Sequence, residues 1–60
     1  MRETDIAAYA KSLLEAHGDR AEAEATAKMR DFEKSGDPDQ AEAWRKIRAA
    51  INQMRGPHSS

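Results

Sequence analysis

Gly36-Asp37-Pro38-Asp39-Gln40 reads as the end of one helix and the start of the next. Glycine takes a left-handed conformation without a steric clash, and such a residue closes many helices. Asp37 stands where a side-chain oxygen can accept an orphan backbone N–H. Pro38 falls at the first helical position, where its missing N–H costs nothing. Gln40 occupies the third helical position, the other half of a capping box. Asp37, Asp39 and Glu42 add negative charge at the positive end of the helix dipole.

The same punctuation occurs upstream in His17-Gly18-Asp19-Arg20-Ala21-Glu22. Here Gly18 reads as the stop and Asp19 as the next cap, with Glu22 three residues on as its capping-box partner. Two stop-and-restart signals divide the chain into helices at about 5–17, 20–35 and 38–55, with very short loops. The fold class is all-α, a compact three-helix bundle. Residues 1–56 form a single helical domain and residues 57–60 a disordered tail, with Gly56-Pro57 as the final stop.

Apolar spacing within each segment supports this division. Ile6, Tyr9, Ala10, Leu13, Leu14 and His17 fall on one face of the first helix, with Thr4 or Asp5 as its cap. The second helix carries a thin face of Ala21, Ala25, Met29 and Phe32, and Ala23 and Ala27 form a second small-residue line. The third helix carries Ala43, Trp44, Ile47, Ala50, Ile51 and Met54, flanked by Arg48 and Arg55. Glu24 and Lys28 are spaced for an i,i+4 pair.

Sixty residues, 38% hydrophobic and 35% charged, allow one domain with a small core. Chains of this size gain about 3–5 kcal/mol from a single core and often need a further staple. Cysteine is absent, so no disulfide supplies it, and only His17 and His58 offer nitrogen ligands to a metal. Close helix packing and association with another chain remain. The lack of cysteine fits a reducing compartment. No signal peptide is read at Met1-Arg2-Glu3-Thr4-Asp5, and no stretch approaches the ~20 apolar residues of a membrane span. The expected location is cytoplasmic, with no membrane insertion.

Candidate chemistry is sparse. His17 reads as a last-turn histidine beside a glycine cap, facing the core of its own helix. Asp19, Asp37 and Asp39 are explained by capping, and Glu22, Glu24, Glu33 and Glu42 fall at solvated helix positions. No catalytic pair, metal-ligand spacing, phosphate loop or nucleophile elbow stands out. The expectation is therefore a non-enzymatic chain with no cofactor, no metal and no small-molecule substrate. Tyr9 and Trp44 are the only large rings with a polar handle, and they read as core between the first and third helices.

Charge is unevenly placed. Residues 1–42 hold six basic and eleven acidic side chains, whereas residues 43–60 hold Arg45, Lys46, Arg48 and Arg55 with no acid. Those four cations admit a small nucleic-acid-binding regulator as the alternative function. They point in several directions around the helix, however, and also complement its own dipole. The favoured expectation is a protein–protein interaction module: a homo-oligomer such as a homodimer, or an accessory subunit of a larger complex. Its candidate surface is Ala23, Ala27, Trp44, Arg48 and Arg55.

Two resemblances bear on this. Lys34-Ser35-Gly36-Asp37-Pro38-Asp39-Gln40-Ala41 resembles the inter-helix turn of a tetratricopeptide repeat. Ala25, Lys28, Met29 and Arg48 depart from that repeat's pattern, so the likeness is one of turn chemistry. A longer pattern, His17-Gly18-Asp19-Arg20-Ala21, Gly36-Asp37 and Ala43-Trp44-Arg45-Lys46-Ile47, is similar to short helical proteins of alphaproteobacteria that carry no assigned activity. It implies a compact helical protein and transfers no site.

Overall fold

The computed structural model describes residues 3–56, which form three α-helices: α1 (Glu3–His17), α2 (Arg20–Lys34) and α3 (Pro38–Met54). They pack as an all-α three-helix bundle of 35 × 23 × 20 Å. The expected tail at 57–60, the Pro57 stop, His58 and the Met1-Arg2 start lie outside the described residues.

Both glycine stops form, in different ways. Gly36 has φ +78° and closes α2 with paired bonds, its own N–H to Glu33 O and the Asp37 N–H to Phe32 O. These satisfy carbonyls that the helix end would otherwise leave orphaned. Gly18, at φ +58°, makes the simpler closure, a single bond of its N–H to Leu14 O at 2.7 Å. A side chain at either position would be strained in this left-handed conformation.

The two aspartates then diverge. Asp37 is non-helical (φ −113°, ψ 82°), and its Oδ1 accepts from the Gln40 N–H at 3.2 Å. Asp19 is already helical (φ −64°, ψ −18°) and makes no capping bond. The capping box expected of Asp19 and Glu22 is therefore absent. The difference lies in the next residue. Proline disfavours the helical region for the residue before it, so Pro38 holds Asp37 in a conformation from which its side chain can fold back. Arg20 imposes nothing of the kind on Asp19, and the first bond of α2 instead runs from the Ala21 N–H to Gly18 O. The Gln40 half of the second box is also missing, because the Asp37 N–H is already committed to Phe32 O.

A stability difference follows. Asp37→Ala should destabilise the protein by about 0.5–2 kcal/mol, the usual cost of losing an N-cap side chain. At a concentration low enough to keep the chain monomeric, Asp19→Ala should shift the thermal midpoint far less. Equal shifts in the two melting curves would refute this reading of the turns.

The core is built of few large groups. Ile47 and Ile51 are fully buried, with Ile6, Ala10, Ala21 and Ala25 around them. Leu13, Leu14, Trp44 and Ala50 cover its edges. α2 and α3 make the most extensive contact, and α1 packs more on α3 than on α2. The buried alanines let the helices approach closely. Four residues depart from the expected faces, Tyr9 among them, since it is 40% exposed where core is expected. The His17 side chain is 43% exposed instead of facing the core. Met54, at 42%, is exposed although the apolar period continues through it and its neighbour Arg55 still meets α2. Ala41 is buried in the first turn of α3 although it lies outside the stripe read there.

Candidate interaction surface

The antiparallel pairing of α2 with α3 sets the charged features. It brings the end of α3 beside the start of α2, where Arg55 meets two acids. Arg55 Nη1 lies 3.3 Å from Glu22 Oε1, and Nη2 lies 3.6 Å from Asp19 Oδ1. Each charge also complements a helix end, the cation at a C-terminus and the acids at an N-terminus. The Arg55 side chain is only 27% exposed, so its stem packs while its head is held.

Next to this cluster lies an open groove, lined by Asp19, Glu22, Ala23, Thr26, Ala27 and Arg30 of the α2 segment and by Arg48 of α3. The Thr26 hydroxyl donates to Glu22 O of its own helix at 3.0 Å, so it is satisfied within α2. Ala23, Ala27, Arg30 and Arg48 are all exposed.

The five expected surface residues thus do not form one patch. Ala23, Ala27 and Arg48 share the groove, and Arg55 borders it through Glu22 and Asp19. Trp44 packs elsewhere, with its ring edge-on to Tyr9 of α1 at 5.4 Å between centroids and 66° between planes. Such T-shaped pairs add to what burial alone contributes. The pair closes the rim of the core, with Trp44 half-buried and Tyr9 40% exposed. Asp19, Glu22 and Arg30 line the groove as well, although the sequence does not mark them for it, since local capping and solvation account for the two acids.

The remaining polar contacts are local. His17 Nδ1 lies 2.9 Å from Glu24 Oε2, tying the end of α1 to α2. Arg45 pairs with Glu42 at 2.7 Å one turn away. Two of the four cations near the C-terminus, Arg45 and Arg55, are therefore engaged by acids of this chain. Among the described residues no cluster of three or more metal-capable side chains occurs. No described helix is long and apolar enough to cross a membrane. Compared with known protein families, curated proteins and solved structures, the chain matches none.

Proposed function

We propose that this chain is a non-enzymatic protein–protein interaction module of the cytoplasm, acting as a homo-oligomer or as an accessory subunit of a larger assembly. The observation that carries this reading is the poverty of the core. Among the described residues two isoleucines are the only large side chains fully buried, and the rest of the sealed interior is mostly alanine. Burial of apolar side chains is the main favourable term in folding, and alanine contributes little of it. A second chain laid over exposed alanines and half-covered aromatics supplies the missing stabilisation. The engagement of Arg45 and Arg55 within the chain favours a protein partner over the phosphate backbone of a nucleic acid.

Thermal unfolding followed by circular dichroism at several protein concentrations tests this. Binding to the folded state alone makes the midpoint depend on concentration, so it should rise across about a hundredfold range for a homo-oligomer. For an accessory subunit the isolated chain should be a marginal monomer, below about 3–5 kcal/mol. A cooperative monomer well above that stability, with a constant midpoint, would overturn the reading.

A further inference from the structure

We propose that the outer face of α2 docks against the same face of a second copy of this chain, in antiparallel register, so that Asp19 of one copy meets Arg30 of the other. The proposal rests on the interaction-module reading and names its partner and its geometry.

The arrangement of charge on the groove carries it. Asp19 and Arg30 are eleven residues apart, which at 3.6 residues per turn is three turns with an offset of about 20°. They therefore lie on one line along the helix, about 16 Å apart. Between them the groove presents only Ala23, Thr26 and Ala27 on the α2 side, apart from Glu22 at its Asp19 end. A two-fold axis halfway along this line sets Asp19 of each copy opposite Arg30 of the other, and Ala23 opposite Thr26. The small side chains allow the helices to approach within reach of both end pairs.

α3 adds a second complementary pair. Its antiparallel register on α2 runs from Arg55 beside Glu22 to Ala41 and Glu42 beside Met29 and Glu33. Arg48 accordingly sits in the Arg30 half of the groove. The same two-fold carries it toward Glu22 of the second copy. Arg55 engages Oε1 of Glu22, so the other carboxylate oxygen remains to accept it. Asp19 is likewise available, because its side chain is 98% exposed and its 3.6 Å pair with Arg55 is the longer of that residue's two.

One half of this face carries two acids with Arg55 set against them, a net negative charge, and the other half carries Arg30 and Arg48. An acidic partner would match one half and repel the other, and a basic partner would do the reverse. A second copy, reversed, matches both. Like charges placed across an interface are strongly disfavoured, so the register is selected as well as the partner.

Sedimentation equilibrium of the full chain and of Asp19→Arg, Arg30→Asp and the double variant tests this. Each single reversal sets like charges against each other twice per dimer and should weaken self-association by about tenfold or more. The double variant restores opposite charges across the two-fold and should recover much of the lost association, short of the parent because the reversed charge at position 19 faces Arg55 of its own chain. Arg30→Gln keeps a good helix former at an exposed mid-helix position, and should weaken the dimer less than Arg30→Asp. It decides the question if a reversal proves unfolded by circular dichroism. A marginal monomer that does not self-associate would overturn this proposal and leave the accessory-subunit reading standing. A dimer indifferent to Arg30→Asp and Arg30→Gln, or a folded double variant that fails to recover, would overturn the α2 geometry alone.

Discussion

Ile47→Ala should leave about a tenth to a half of the molecules unfolded at room temperature, because it removes most of what one small core contributes. Ile47 is sealed from solvent and belongs to the cluster formed with Ile6, Ala10, Ala21, Ala25 and Ile51. Truncating a buried isoleucine costs about 2–5 kcal/mol, the upper part of that range applying where neighbours cannot collapse into the cavity. Three of its five companions in the cluster are alanines held by the helix backbone, which have no rotamers with which to refill the space. Against about 3–5 kcal/mol for a chain of this size, the loss approaches the whole of the stability. Ile47→Val leaves most of the volume in place and should cost only about 0.5–1.5 kcal/mol. Far-ultraviolet circular dichroism and Trp44 fluorescence on both variants provide the measurement. A cooperative melt for Ile47→Ala within a few degrees of the parent would mean that stability comes from somewhere other than this core.

What is legible in the sequence is whatever is decided within a few residues. Gly36 and Asp37 can be read because a left-handed glycine, a proline and a side-chain cap act on their immediate neighbours. Asp19 departs from its expected role for an instructive reason. Its surroundings duplicate those of Asp37 in type, but the cap at Asp37 depends on the proline that follows, and Arg20 cannot replace that steric push. The apolar stripe of α3 is legible in its middle, at Ile47 and Ile51, where both other helices cover it. It fails at Met54, which is 42% exposed although Arg55 beside it still meets α2, because periodicity does not tell which side of a helix end its neighbours cover. The site is less legible still. Arg55 and Glu22 are 33 residues apart, and their contact depends on the register of α2 against α3, which no local motif encodes. Trp44 is readable both as core beside Tyr9 and as part of a surface with Ala23, Ala27 and Arg48, and the packing decides for Tyr9.

Ala25→Leu should destabilise the bundle by about 1–3 kcal/mol, although it adds apolar volume to a core that has little. Two effects oppose each other. Leucine is nearly as good a helix former as alanine, and burying its extra carbons would gain roughly 0.8 kcal/mol each if room existed. Ala25 has no exposed surface, however, and lies in one cluster with the isoleucines of α3 at the contact between the two most extensively packed helices. Extra atoms there must push α2 away from α3, and that movement loses dispersion contacts along the whole helix pair. It would also pull Glu22 from Arg55 and lift the edge of the core on which Trp44 rests. The strain should therefore outweigh the gain. Ala8→Leu, at an exposed position of α1, makes the same chemical change without the confinement and should stay within about 0.5 kcal/mol of the parent. Paired thermal melts with near-ultraviolet circular dichroism of the Tyr9–Trp44 pair separate the two cases. A stabilised Ala25→Leu protein with an unchanged aromatic signal would show that the interior has spare volume, and that alanine at the α2–α3 contact does not set how closely these helices pack.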